Sequence, residues 1–233
     1  MRSSFLSSLS TSVATKLTRH SFAEFVSNQA LSILESSAQY SVAVSGGQIA
    51  PECLKHLLLK VGPTTFVTVT VTDERYGVAK IHQNGQVIKR IIEESRPTSS
   101  TQLLSPSTTT SISESSDDFA KVIARTTQPV LVLFGVGSDG HVASLFPNHP
   151  HVEGVEVAIV NGAPGEFPCR ITVTMDYLRK IPNRWALIVG REKRELMRNL
   201  RPDSSLPVNL IAPTRWFIAS DALEPETFRD SFQ

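Results

Sequence analysis

An apolar strand that opens directly into a glycine-rich loop is the feature of this sequence that most restricts its fold. Residues 130–134 form an apolar run of the length typical of a buried strand, and glycines follow at Gly135, Gly137 and Gly140. Glycines let the backbone turn sharply and approach a ligand closely, which exposes peptide N–H groups to it. The pattern therefore predicts a site at the end of a buried strand.

Two side chains in this loop carry chemistry. Asp139 supplies a carboxylate and His141 an imidazole. Imidazole titrates nearer neutrality than other side chains, so His141 is a candidate for taking a proton from water. Asp139 is a candidate for orienting His141 or the loop, a contact that closeness in sequence does not establish. The alternative interpretation is a plain strand-to-helix turn with a surface histidine.

Predicted strands alternate with predicted helices along the whole chain. Strands are expected at residues 12–17, 40–44, 65–71, 130–134, 155–160, 171–174, 185–189 and 216–219, and the last of them at a sheet edge. Helices are expected after a cap at Ser21 and at 51–59, 85–94, 119–125, 176–181 and 192–200. This alternation predicts an α/β fold, a mostly parallel sheet with helices on both faces. A length of 233 residues with 40% hydrophobic residues suits one domain.

Two segments are poor in the apolar residues that a core needs. Residues 1–20 are rich in serine and threonine and have no acidic residue, which is typical of a flexible tail or of a targeting segment. The domain is therefore expected to occupy residues 21–233. Residues 98–118 are again rich in serine and threonine, so we expect a surface loop there.

Composition argues against several classes of function. A net charge of +1 gives no reason to expect nucleic acid or a membrane surface as a partner. Cys53 and Cys169 lack the spacing of a zinc site or a disulfide framework. His149 and His151 lie among prolines without a third ligand at metal-binding spacing, so a solvated loop is the better interpretation. We expect a cytoplasmic protein without a metal, with organellar targeting left open.

Two further loops follow predicted strands and carry polar groups. Ser45, Gly46 and Gly47 precede a helix, an arrangement that directs N–H groups and a helix dipole at an anion. Asp73 and Arg75 lie at the carboxyl end of another strand, the edge at which open α/β sheets bind ligands. An ordinary turn in the first case and a solvated cluster in the second are the alternatives.

Residues 135–147, GVGSDGHVASLFP, resemble the signature of the 6-phosphogluconolactonases, which are related to the glucosamine-6-phosphate isomerases/deaminases. Segments 45–47, 73–75, 170–174 and 190–193 occur in the order of that family, and the resemblance covers roughly residues 22–223. It implies the Rossmann-like fold of the family. It also implies hydrolysis of 6-phospho-D-glucono-1,5-lactone to 6-phosphogluconate, in the oxidative pentose phosphate pathway.

The resemblance implies a role for each candidate residue. His141 would activate water, with Asp139 beside it, and N–H groups of residues 135–140 or Arg75 would stabilise the oxyanion. Residues with implied phosphate or sugar contacts are Ser45, Gly46, Gly47, Asp73, Asn84, Arg170 and Lys193. No cofactor is implied, because no G-x-G-x-x-G opens the first βα unit. The partner would be a small phosphosugar lactone, and the protein a monomer or a small homo-oligomer.

Two other functions stay open within the resemblance. The isomerases carry a glutamate a few residues after the histidine, whereas residues 143–147 contain no carboxylate, which favours the lactonase. A phosphosugar-binding protein without turnover is the second alternative. It stays open because Gln48-Ile49-Ala50-Pro51 departs from the small hydroxyl residue and proline that the family usually has there.

Overall fold

A parallel β-sheet forms the centre of the computed structural model, which describes residues 12–15, 19–95, 101–201 and 203–223. Its strands within these residues are β1 (Ser12–Thr15), β2 (Ser41–Val44), β3 (Val67–Val71), β5 (Thr101–Leu104), β6 (Leu131–Gly135), β9 (Asn183–Ile188) and β10 (Arg215–Ala219). The order across the sheet is β1-β10-β9-β6-β2-β3-β5, and all neighbours run parallel.

Helices cover both faces of this sheet. The α-helices of the described residues are α1 (Arg19–Ser37), α2 (Ile49–Lys60), α3 (Asn84–Ser95), α4 (Ile112–Arg125), α5 (Met175–Lys180), α6 (Arg194–Asn199) and α7 (Pro207–Leu210); short 3-10 turns lie at Lys80–His82, Arg191–Lys193 and Ser220–Ala222. None of the described helices has both the length and the apolar character needed to cross a membrane.

Successive residues of each strand face opposite sides, so two cores form. Val42 and Val44 of β2 pack with α1, α2 and α3 on one side, and Ala43 belongs to the core that contains α4 to α7 on the other. Both faces of the central strands are buried, which explains their continuous apolar sequences. The predicted α/β fold with helices on both faces is confirmed.

A second, smaller sheet was not predicted. It consists of β4 (Asp73–Arg75), β7 (Val157–Val160) and β8 (Arg170–Val173), in the order β4-β8-β7 with antiparallel pairing. The strands expected at 155–160 and 171–174 exist, but they do not join the parallel sheet. The pairing of β4 with β8 places Arg75 opposite Arg170, which brings together two segments that are distant in sequence.

Three expectations about element boundaries were wrong. The loop expected at 98–118 contains the strand β5 and the start of helix α4. Because β5 lies at the edge of the sheet, it needs few apolar residues. Serines of that segment cap or enter the helix: Ser111 forms a capping box with Glu114, and Ser115 is buried.

At the other edge, β10 lies inside the sheet because β1 pairs outside it. This strand, β1, confirms the strand expected near the N-terminus. Helix α1 begins at Arg19 and not after a cap at Ser21, so residues 19 and 20 belong to the folded part. The rest of the expected tail, residues 1–11 and 16–18, lies outside the described residues.

Candidate active site

The predicted site residues meet in one cavity of about 670 Å³ at the carboxyl ends of β2, β6 and β9. Ligands of open α/β sheets bind at this edge. Nine of the ten predicted residues line the cavity: Ser45, Gly46, Gly47, Asp73, Arg75, Asn84, His141, Arg170 and Lys193. The tenth, Asp139, contacts the imidazole of His141.

The imidazole of His141 is held from one side by Asp139. Its Nδ1 lies 2.6 Å from Oδ1 of Asp139, and the same oxygen accepts the backbone N–H of His141 at 3.1 Å. A carboxylate at Nδ1 favours the proton on that nitrogen, which leaves Nε2 as the acceptor. Burial alone would raise the pKa of Asp139, but the hydrogen bonds and charge of His141 lower it. The pair therefore presents Nε2 as a base.

Gly137 and Gly140 shape the loop around this pair. A Cβ at Gly137 would overlap the imidazole of His141, so only glycine lets the ring lie over the backbone. Gly140 has φ of +87°, a left-handed conformation that glycine adopts without strain, and its carbonyl accepts the N–H of Val208 at 3.1 Å. Close packing thus fixes the histidine before any ligand binds.

Four of the expected oxyanion donors of this loop are already occupied. The N–H groups of Gly135, Val136, Gly137 and Gly140 donate to Ser45 Oγ, Leu187 O, His141 O and Gly137 O, respectively, at 2.9 to 3.2 Å. Peptide donors that hold the loop together are not available to a substrate oxygen. For these four N–H groups the expected oxyanion contact was therefore wrong, whereas for Ser138, Asp139 and Arg75 it stays a prediction.

Arg75 and Arg170 both lie close to the Phe167 ring. Their guanidinium carbons are 5.1 Å and 6.0 Å from the ring centroid, respectively. Arg75 Nη1 donates to the carbonyl of His82 at 2.9 Å, whereas its buried Nε has no partner among the described residues. Arg170 Nε donates to Phe167 O at 2.6 Å, and burial lowers its pKa although nearby Asp73 opposes this. Both guanidinium groups are thus fixed at the cavity wall.

Asp73 is buried and organises its neighbours. Ser144 Oγ donates to Asp73 Oδ2 at 2.7 Å, and Arg170 Nη1 lies 4.0 Å from the same oxygen. The carboxylate therefore joins the histidine loop, which contains Ser144, to the small sheet. Sequence reasoning missed Ser144, although it stands inside the motif at residues 135–147.

The loop after β2 is anchored at Ser45 and open at its glycines. Ser45 Oγ accepts the N–H of Gly135 at 3.0 Å, so the hydroxyl links β2 to β6. The side chain of Asn84 lies where a Cβ of Gly46 would be, and its Nδ2 donates to Asp73 O at 2.8 Å. Within the described residues, the N–H groups of Gly46 and Gly47 donate no hydrogen bond. Both groups are open peptide donors of this wall.

Glu74 has a structural role that the sequence did not reveal. Its carboxylate accepts the N–H groups of Asn84, Gly85 and Arg75, each at 2.7 Å, and thereby caps helix α3. Burial raises the pKa of Glu74 to about 7, against the opposing effect of these donors. The cap holds Asn84 against Gly46.

Charges around the cavity favour an anion. Among the described residues, the cationic lining side chains are Arg19, Arg75, Arg170 and Lys193, and the carboxylates are Asp73, Glu192 and Asp221. Lys193 makes no ion pair with any described carboxylate. Sequence reasoning missed Arg19, whose place depends on the packing of α1 against α2.

A possible metal-binding cluster lies outside the cavity. In the described part of the chain, His20, Glu52 and His56 are the group whose ligand atoms lie within 4.8 Å of one another. Glu52 is, however, already paired with Arg19 at 3.1 Å. His149 and His151 do not belong to this group, and His149 Nε2 lies 3.2 Å from Gly162 O.

Comparison with known proteins shows the family to which the chain belongs. Residues 14–219 match the model of the glucosamine-6-phosphate isomerases/6-phosphogluconolactonases. The chain belongs to this family. The expected resemblance is thus confirmed. The 6-phosphogluconolactonases of Rattus norvegicus and Homo sapiens are both 26% identical to it, over 85% and 84% of either chain, respectively.

Solved structures share the fold with this family member. The 6-phosphogluconolactonase of Thermotoga maritima is 20% identical, with a TM-score of 0.79 over 90% of this chain and 99% of its own. A monomeric glucosamine-6-phosphate deaminase is 12% identical, with a TM-score of 0.70 over 94% and 99%. Lactonase and deaminase thus share this fold, so the choice between them depends on the side chains of the cavity.

Proposed function

We propose that this chain hydrolyses 6-phospho-D-glucono-1,5-lactone to 6-phosphogluconate, with His141 as the general base. The observation that carries the proposal is the convergence of an oriented imidazole with Arg170 and Lys193 in one cavity. A phosphorylated lactone has an anionic end and an electrophilic carbonyl, and the cavity offers cations for the first and a base for the second.

The phosphate is assigned to the wall built by the β2 loop. Gly46 and Gly47 offer peptide N–H groups, and Lys193 and Arg170 offer positive charge. A guanidinium presents a fixed fork of donors and an ammonium a mobile charge, a combination that suits a dianion. Binding here would hold the lactone carbonyl on the side of His141.

The chemistry begins when Nε2 of His141 takes a proton from a water molecule as its oxygen attacks the carbonyl carbon. Negative charge then develops on the carbonyl oxygen, and Arg75 is the cation proposed to stabilise it. The tetrahedral intermediate collapses by breaking the bond to the ring oxygen, which receives the proton from His141. The products are a carboxylate, after ionisation of the new acid, and a free hydroxyl group.

Two features support a lactonase over a deaminase. Residues 143–147 carry no carboxylate beside the histidine, and the buried polar group there, Ser144, is bonded to Asp73. Named relatives that match most of the chain are 6-phosphogluconolactonases. Cytoplasmic location, the pathway and a monomer or small homo-oligomer stay predictions.

Turnover of the purified protein tests the proposal. We expect rapid hydrolysis of 6-phospho-D-glucono-1,5-lactone and no ammonia release from glucosamine 6-phosphate. Ammonia release without lactone hydrolysis would assign the deaminase reaction. Binding of 6-phosphogluconate without either activity would identify a phosphosugar-binding protein.

A further inference from the structure

We propose that Arg19 is a phosphate-binding residue of this cavity, held in place by Gln48 and Glu52. The inference rests on the proposed phosphosugar function and adds a contact from the first residue of α1. The ligand group is a phosphate monoester dianion, because the wall next to Arg19 also presents the open N–H groups of Gly46 and Gly47.

Two hydrogen bonds fix the guanidinium at the cavity wall. Nη1 of Arg19 donates to Oε1 of Gln48 at 2.7 Å, and Nε donates to Oε2 of Glu52 at 3.1 Å. Among the described residues, these bonds use two of the five N–H donors that a guanidinium carries. The side chain lines the cavity with donors left over for an anion.

The position of Arg19 is hard to explain by helix stability alone. It stands at the N-terminus of α1, where the helix dipole disfavours a cation, and the first turn of α1 contains no acidic residue. Its pairing with Glu52 is partly solvent-exposed, and ion pairs near the surface contribute little to stability. A cation that gains little from its own helix fits a role toward a ligand.

Gln48 gains an explanation from the same contact. The family resemblance implies a small hydroxyl residue near this point of the loop, and such a residue can give a phosphate one O–H donor. Here the Gln48 amide oxygen instead accepts from Arg19, and the guanidinium supplies several donors and a positive charge. The departure of residues 48–51 from the family pattern is then a replacement of one phosphate contact by another.

Calorimetric binding of 6-phosphogluconate and gluconate tests this assignment. Arg19→Ala should weaken 6-phosphogluconate binding about tenfold, the lower end for a charged hydrogen bond, and leave gluconate binding unchanged. Arg90→Ala is the matched control, since Arg90 is an exposed arginine on α3 outside the cavity. It should leave both ligands unaffected. Unchanged 6-phosphogluconate binding in Arg19→Ala would overturn the proposal.

A second variant separates ligand binding from a purely structural tie between α1 and α2. Glu52→Ala breaks the same ion pair but keeps the guanidinium and its bond to Gln48, so 6-phosphogluconate binding should weaken much less than in Arg19→Ala. Equal weakening of 6-phosphogluconate binding in Arg19→Ala and Glu52→Ala would mean that the ion pair between the two helices, and not a contact of Arg19 with phosphate, supports binding. Because these measurements need no turnover, they test Arg19 even if the lactonase assay fails. With turnover, Arg19→Ala should raise KM far more than it lowers kcat.

Discussion

The two glycine loops at the mouth of the cavity use their peptide N–H groups in opposite ways. In residues 135–141 most of these groups donate within the protein and hold His141 in one orientation. In residues 45–48 the N–H groups of Gly46 and Gly47 have no partner among the described residues. The first loop positions a side chain, and the second presents open donors, as the proposed phosphate contact requires.

Because of this difference, one loop can position the base while the other binds the anion. A base needs a fixed ring, and internal hydrogen bonds supply this rigidity before the substrate arrives. An anion needs unoccupied donors, which are lost when a loop satisfies itself. Changes in the histidine loop should therefore act mainly on kcat, and changes in the open loop mainly on KM.

The largest effect should follow from His141→Ala. Loss of a positioned general base is expected to lower kcat by about a hundred- to ten-thousand-fold, with little change in affinity for 6-phosphogluconate. Steady-state kinetics together with calorimetry check both parts. Full turnover in the variant would remove His141 from the chemistry, and lost affinity would mean that the two loops are not separate in function.

A matched pair of glycine substitutions compares the loops directly. Gly137→Ala places a Cβ on the imidazole and should lower kcat about a hundredfold by displacing it. Gly47→Ala meets no atom within 4 Å, so only the strain of φ +82° applies, about 1 kcal/mol of stability. Its kcat should stay near that of the unaltered protein. Similar kcat values in the two variants would contradict the proposed division of roles.

Lys193→Ala should act on binding. Removal of one charged contact to phosphate is expected to raise KM about tenfold and to leave kcat much less affected. Lys89→Ala, an exposed lysine of α3, serves as the control. If KM for the phosphorylated lactone does not change, Lys193 is not part of the phosphate site.

The smallest effect on activity is expected from Glu74, which supports the open loop through Asn84. Its folded pKa of about 7 exceeds the ordinary value of 4.5, so the folded state binds the proton more tightly. The resulting stability is present below about pH 4.5 and is lost as the pH rises to about 7.

Denaturant unfolding of the unaltered protein and Glu74→Gln at pH 5, 6, 7 and 8 measures this contribution. The advantage of the unaltered protein over the variant should fall with rising pH. An advantage that grows with pH would mean that the three N–H donors, and not burial, dominate the titration of Glu74.

Much of the fold and of the cavity was predictable from local sequence. Strands buried on both faces have continuous apolar sequences, so β2, β3, β6 and β9 were recognisable before the structure was known. Parallel strands end at the same edge, which is why residues from their terminal loops converge. His141 was found in this way, and Arg170 and Lys193 were found through the family resemblance.

What escaped prediction depends on long-range packing. The β4–β8 pairing joins segments almost a hundred residues apart, and nothing in either segment specifies its partner. Arg19 reaches the cavity only because α1 packs on α2. The N–H groups of Gly135 and Val136 are occupied through contacts with Ser45 and Leu187, which a motif does not encode.

A crystal structure with 6-phosphogluconate tests the central claim most directly, since the product carries both the phosphate and the carboxylate formed from the lactone carbonyl. We predict the phosphate against Gly46, Gly47 and Lys193, and the carboxylate within hydrogen-bonding distance of His141 Nε2. A ligand that binds with its carboxylate away from His141, or outside this cavity, would contradict the account.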